Sequence, residues 1–258
     1  MHYGKILLIA GGLTFLKITV GAQPTYNTNK KSTLYFALGT NWSRYSKSDI
    51  RLKSYGPIPF DFTLRKVKAR DDAGLSTNGG APQYSLQLGY YSHRKNWGLE
   101  FNFDHIKYFV RQNQLVSIQG TINNQPYHTD TLITPQFISL EHSDGANYAL
   151  FKLVKWLALK TNRNQQTLLN IVLKAGAGPV IPKTNSTIMD NHWDDRYHIA
   201  GYVIAIEGGL RYNIVKFLYA EGNVKGAYAN YTSFLIANGN GSQQWYGLHA
   251  SVLLGLQF

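Results

Sequence analysis

Between Trp245 and Phe258 apolar residues fall on every second position. Tyr246, Leu248, Ala250, Val252, Leu254, Leu256 and Phe258 form one row, while Gly247, His249, Ser251, Gly255 and Gln257 hold most of the other. Successive side chains of a strand point to opposite faces, so the stretch predicts a strand with one apolar face and one small or polar face. It is long enough to cross a bilayer, since a tilted spanning strand needs about 9–11 residues. The same rhythm recurs upstream. Thr33–Trp42 sets Leu34, Phe36 and Leu38 against Tyr35, Ala37 and Gly39. Gln83–Ser92 sets Tyr84, Leu86, Leu88 and Tyr90 against Gln83, Ser85, Gln87 and Gly89. After the turn His93–Asn96, Trp97, Leu99, Phe101 and Phe103 alternate with Gly98, Glu100, Asn102 and Asp104. Asn147–Trp156 is less regular: Ala149, Phe151 and Leu153 oppose Lys152, but Val154–Leu157 also fits a short helical or interfacial turn. Leu169, Ile171, Leu173, Ala175 and Ala177 alternate with Asn170, Val172, Lys174 and Gly176. In Tyr197–Tyr212 the outward set is Ala200, Tyr202, Ile204, Ile206 and Leu210, against Val203, Ala205, Glu207, Gly209 and Arg211. Leu218, Ala220, Val224 and Tyr228 then oppose Tyr219, Glu221, Asn223 and Lys225.

Eight such stretches predict an all-β fold, a transmembrane antiparallel up-and-down β-barrel. The gaps alternate, long before 83, 147, 197 and 244 and short at 93–96, 161–166 and 213–215. That is the spacing of long extracellular loops and short periplasmic turns, with both termini periplasmic. An even count closes the sheet and leaves no unpaired backbone edge in lipid. A soluble eight-stranded barrel is one alternative, but it would turn its apolar rows inward. A ten-stranded membrane barrel is another, adding Phe60–Ala69 and the region near Phe137–Leu140. Aromatic residues at strand ends, Tyr84, Tyr90, Trp97, Tyr202, Tyr212, Tyr228 and Tyr246, favour the membrane form through interfacial girdles. Among the long gaps, Phe60–Ala69 predicts a hairpin prolonged above the membrane, Asn123-Asn124 a turn, and Tyr231–Gln243 an Asn- and Gly-rich excursion.

Composition fits one domain of 258 residues. Lys5, the apolar run Ile6–Leu16 and the small residues Val20–Ala22 read as a signal peptide over 1–22, leaving 23–258 as the barrel domain. The mean hydropathy of -0.25 suits strands that are half polar. With no Cys, disulfides and a cysteine-linked lipid anchor are excluded. The net charge is +12, and removing Lys5 and Lys17 with the signal leaves +10. Such a basic chain raises nucleic acid as a partner, but export argues against it. The phosphates of lipopolysaccharide are the natural anionic partner, with a solvated basic surface as the alternative.

The inward rows collect Glu100, Asp104, Glu207 and Glu221 against Lys152, Lys174, Arg211 and Lys225. In the narrow lumen of eight strands these groups should pair, because an unpaired buried charge is costly. The expected result is a plugged interior, not a general porin, with an ion or proton path along the charges as the alternative.

By strand number, sidedness, loop spacing and terminal Phe258 the chain resembles small Gram-negative outer-membrane barrels of the OmpA/OmpX type. The resemblance implies a place in the bacterial outer membrane, contact with its lipid and lipopolysaccharide, and recognition of the closing strand by the assembly machinery. It leaves the oligomeric state open and implies no cofactor. Such barrels include structural and adhesion proteins as well as lipid A-modifying enzymes. For the enzymatic alternative, an acyl hydrolase or acyltransferase, the candidates are His142, Ser143 and Asp144 with Asp104 and His105. Acyl transfer needs a nucleophile within about 2.6–3.2 Å of its base. Neighbours on a strand face opposite ways, so His142 and Ser143 do not pair if that stretch is extended. The His-x-Ser spacing of the deacylase barrels is absent around His142 and His105. Asp190, His192, Asp194, Asp195 and His198 carry ligand types for a metal ion, in no recognised spacing, against the alternative of a solvated polar loop. Arg44, Lys47, Arg51, Lys53, Arg65, Lys66, Lys68 and Arg70, interleaved with Trp42, Tyr45, Tyr55, Phe60 and Phe62, form a candidate surface for lipopolysaccharide phosphates or an anionic glycan. The expected function is structural or surface-binding, ahead of the acyl-chain enzyme and a narrow channel.

Overall fold

The computed structural model describes residues 31–72, 82–163, 166–194 and 196–258. The expected signal peptide and Asp195 lie outside them. In chain order the strands are β1 (Ser32–Tyr45), β2 (Ser48–Ser54), β3 (Phe60–Val67), β4 (Ala69–Arg70), β5 (Tyr84–Ser92), β6 (Trp97–His105), β7 (Tyr108–Val110), β8 (Leu115–Ile122) and β9 (Gln125–Leu132). They continue with β10 (Ile138–His142), β11 (Ala146–Thr161), β12 (Thr167–Pro182), β13 (Asn185–Ile188), β14 (Asn191–Asp194), β15 (Gly201–Asn213), β16 (Leu218–Ile236) and β17 (Gly239–Gln257).

Eight of them close a barrel. β1, β5, β6, β11, β12, β15, β16 and β17 pair antiparallel in that order, and β17 returns to β1 with Tyr35 opposite Gln257 and Trp42 opposite Ala250. β3 and β10, the two extra stretches of the ten-stranded alternative, lie outside this ring. The alternation read from the sequence sets its sidedness: Phe151 is 67% exposed and Ile206 70%, while Glu100 and Lys152 on the inner face are each 2% exposed. A soluble barrel would show the reverse. The outer wall is therefore a lipid-facing belt, and aromatics stand at both borders. Tyr90, Trp97, Tyr212 and Phe258 are exposed at the short-turn end. At the other, the rings of Tyr202 and Tyr228 lie 6.4 Å apart and those of Tyr228 and Tyr246 5.2 Å.

Three details differ from the sequence reading. Val154–Leu157 is strand, with Trp156 turned inward and stacked on Tyr91 at 4.1 Å. Tyr197–Ala200 precedes β15, and Ala200 is buried because its backbone bonds Val180 and Thr232 on the two flanking strands. Tyr231–Gln243 is no loop: β16 and β17 run through it, past the lipid belt, to a turn at Ala237 and Asn238 where Asn238 has φ 54°.

That extended hairpin carries a cap. β2 pairs with Gly239–Gln243 of β17, and β3, β8 and β9 continue the sheet. A second sheet runs β14-β13-β10-β7-β4. Ile50, Leu52, Phe62, Leu64 and Ile118 from the first sheet share one core with Tyr108, Leu140 and Ile188 from the second. Burying each such side chain stabilises by about 1.5–3 kcal/mol, so the long gaps fold into a two-layered structure of their own. The predicted turn at Asn123-Asn124 joins β8 to β9, with both residues at positive φ, as a two-residue hairpin turn requires.

Candidate functional site

The register of the barrel brings the eight interior charges together. Cross-strand pairing sets Lys152 opposite Glu100, Lys174 opposite Glu207, Glu207 opposite Lys225 and Arg211 opposite Glu221. Lys174 Nζ lies 2.9 Å from Glu100 Oε2, 2.6 Å from Glu221 Oε1 and 3.4 Å from Glu207 Oε1. Lys152 reaches Glu207 at 2.6 Å and Glu100 at 3.6 Å, and Lys225 binds Asp104 and approaches Glu207 at 3.4 Å. The Arg211 guanidinium holds Glu221 at 2.6 Å and lies 3.9–4.5 Å from the ring centroids of Tyr35, Trp156 and Tyr219. Each of these eight buried charges faces at least one of opposite sign, so the set is mutually neutralised and fills this level of the barrel.

Above the plug lies an aromatic layer that the sequence reading did not single out. Trp245 is stacked between Tyr108 at 4.6 Å and Tyr231 at 4.3 Å, and donates from Nε1 to the Tyr148 hydroxyl at 3.0 Å. His142 stacks on Tyr231 at 5.4 Å and is fully buried. The available signal is that Tyr148, Tyr231 and Trp245 stand in the inward rows of long strands, where a large aromatic needs a partner for its polar tip.

The residues proposed for acyl transfer do not assemble. His142 Nδ1 lies 3.0 Å from Thr184 Oγ1, Ser143 donates to Glu141 at 2.9 Å, and Asp144 pairs with Lys183 at 2.6 Å. Asp104 belongs to the plug, and His105 Nδ1 bonds Asn147 Oδ1 at 2.8 Å. β10 ends at His142, which points into the core, and Ser143 opens the turn that follows, facing away from it. Burial, then the nearby His198, pushes the His142 imidazole down to about 3.

The metal candidates are dispersed as well. Asp190 sits at the β13–β14 turn with φ 62°, His192 contacts Thr187 at 3.3 Å, Asp194 pairs with Lys183 at 3.1 Å, and His198 lies 2.9 Å from the Ser233 carbonyl. Among the described residues no three His, Asp or Glu side chains converge as a metal site.

The eight basic candidates divide in two. Arg51 holds Asp61 through two bonds of 2.8 Å, with Lys53 at 3.7 Å; Arg65 holds Asp49 at 2.7 Å, and Arg70 lies over the Phe109 ring at 4.7 Å. The Arg51 guanidinium holds the Asp61 carboxyl below the usual range. Burial works to raise Asp49, but the Lys66 N–H and Arg65 outweigh it and hold that carboxyl low. The side chains of Arg44, Lys47, Lys66 and Lys68 are exposed and have no such partner among the described residues. They gather where β1 leaves the barrel and β2 begins: the register sets Ser48 opposite Val67, which brings Lys47 beside Lys68. Here a groove of about 560 Å³ opens between cap and barrel, lined by Lys47, Asp49 and Arg51 above and Tyr228, Asn230 and Tyr246 below.

No family model matches the chain, and no curated protein matches it by sequence. Solved structures resemble it in outline. Ail, the attachment invasion locus protein of Yersinia pestis, solved with the heparin analogue sucrose octasulfate, aligns at 11% identity over 89% of this chain and 100% of its own, with a TM-score of 0.34. The outer membrane protein OprG of Pseudomonas aeruginosa aligns at 11% identity over 88% of this chain and 96% of its own, with a TM-score of 0.41. Neisserial surface protein A aligns at 6% identity over 86% of this chain and 97% of its own, with a TM-score of 0.33. By its own closure, strand count and sidedness, the chain is a small eight-stranded outer-membrane β-barrel bearing a folded cap.

Proposed function

We propose that this barrel is a structural and surface-binding protein whose rim groove contacts the phosphates of lipopolysaccharide. The long segments and their cap face outward and the short turns face the periplasm, as in barrels of this architecture. The observation that carries the reading is Lys47, a cation with no acidic partner among the described residues, in a groove floored by Tyr228 and Tyr246, with Arg44, Lys66 and Lys68 exposed on the neighbouring strand ends. Tyr rings mark the border of the hydrocarbon layer, and just above that border lie the phosphates of an outer-leaflet lipid A. A Lys or Arg near an anionic surface contributes about 1 kcal/mol, and Arg44 adds a planar fork suited to phosphate oxygens. Arg51 and Lys53 are engaged with Asp61, and Arg51 lines the groove.

The test is binding of lipopolysaccharide to the folded protein in detergent. The double variant Arg44→Ala/Lys47→Ala is expected to bind at least fivefold more weakly, and enzymatic dephosphorylation of the lipid to weaken binding to the unmodified protein likewise. Unchanged affinity in either comparison overturns the reading.

A further inference from the structure

At the short-turn end of the barrel the charge is one-sided. The turns 93–96, 161–166 and 213–217 carry Arg94, Lys95, Arg163 and Lys216 and no Asp or Glu, and exposed Lys160 lies at the same end. The nearest interior carboxylates, Glu100 and Glu221, are fully engaged with Lys152, Lys174 and Arg211.

Lys155 interrupts the lipid-facing row of β11. The pleat turns it outward with Phe151 and Leu153, opposite Leu173 of β12 and one residue beyond the Val154–Gly98 pair, beside Trp97. Its Nζ donates to the Asn96 carbonyl at 2.8 Å. The stem therefore lies along the apolar wall while the ammonium leans to the turn, as long cationic side chains do at a membrane border. An ionisable group in a lipid-facing row is rare and is tolerated here because its ammonium reaches the border. Around it an apolar groove of about 550 Å³ is lined by Trp97, Leu153, Lys155, Leu173 and Ala175. Lys95 Nζ stands 5.9 Å from the centre of the Trp97 ring, above the same groove.

We infer that this groove seats one anionic glycerophospholipid of the inner leaflet. An acyl chain lies along Leu153, Leu173 and Ala175, and the phosphate meets Lys155 with Lys95 and Arg94 of the turn. Two features select the occupant. The groove is apolar along its length and cationic only at its turn end, which matches an amphiphile with a single anionic head. The turns offer no side-chain carboxylate to an ethanolamine ammonium, so an anionic headgroup is preferred over a zwitterionic one. The inference shares the orientation adopted above but uses none of the rim groove's residues, so each fails separately.

The experiment is native mass spectrometry of the full folded chain in detergent with equimolar phosphatidylglycerol and phosphatidylethanolamine of identical acyl chains. The unmodified protein is expected to retain phosphatidylglycerol at least fivefold over phosphatidylethanolamine. Lys155→Gln removes that preference. Leu173→Trp fills the groove, leaves every cation in place and lowers phosphatidylglycerol retention at least fivefold; if it does not fold, judged by heat-modifiable gel mobility, Ala175→Leu serves the same purpose. Arg44→Ala/Lys47→Ala at the opposite rim leaves retention unchanged. Equal retention of the two lipids by the unmodified protein, or undiminished phosphatidylglycerol retention in either groove-altering variant, overturns the inference.

Discussion

Arg211 shows how a single side chain closes the interior. It is fully buried, held by Glu221 and surrounded by Tyr35, Trp156 and Tyr219. Arg211→Ala leaves Glu221 with Lys174 as its remaining cation, and breaking a buried pair in this way costs about 3–5 kcal/mol. The urea midpoint of the refolded protein in lipid vesicles should fall accordingly. Arg211→Lys should restore little, because an ammonium does not lie flat against rings as a guanidinium does. His142 gives a different prediction. In the folded cap burial, then His198, pushes it down to about 3, whereas the unfolded chain takes its proton near 6.5. The unfolded state thus binds more protons between these values, so stability is greatest above 6.5 and is lost as pH falls. At pH 5 the loss is about 2 kcal/mol, at about 1.36 kcal/mol per unit. Hydrogen exchange of cap amides, corrected for intrinsic rates, should quicken between pH 7.5 and 5 in the unmodified protein, and His142→Phe should reduce that slope. The interior charges were legible in the sequence because alternation fixes which way each points. The burial of His142 was not, because its surroundings come from Tyr108, Tyr231, Phe234 and Trp245 on other strands.

At the scale of elements, what was legible follows from the solvent. A strand facing lipid must keep a largely apolar row across the bilayer; β5, β6 and the membrane part of β17 do so without a break, and β1 and β15 admit only Thr40 and Gly208. Cap strands answer to water on one face and a small core on the other, so two or three apolar residues suffice. β2 offers Ile50 and Leu52 between Asp49, Arg51 and Lys53, and reads as a polar stretch. Tyr231–Gln243 misled for a related reason: its Thr, Ser, Asn and Gly residues suit a loop, yet their backbone groups find partners in the neighbouring strands. Packing within the cap still leaves a mark at Gly120. It has φ +151°, and a Cβ there would stand 2.1 Å from the Asp61 carbonyl oxygen. Gly120→Val should therefore separate β3 from β8 and destabilise the cap by about 1–3 kcal/mol. Limited proteolysis should then cut the cap sooner while the barrel keeps its heat-modifiable mobility.

At the scale of the whole molecule, a closed ring with a paired interior is expected to pass no ions. Reconstituted into planar bilayers the protein should show no step conductance at neutral pH, and regular steps would contradict a sealed plug. The cap adds a constraint of another kind. Its two sheets draw β2 to β4 from the first long segment, β7 to β10 from the second, β13 and β14 from the third, and the tips of β16 and β17 from the fourth. No segment contains the core by itself. The shared core is complete only when the last segment is in place, through contacts distant in sequence and therefore slow to form. Once formed, it acts as a knot tied on the far side of a hole: no hairpin can slip back through the membrane without first undoing all four.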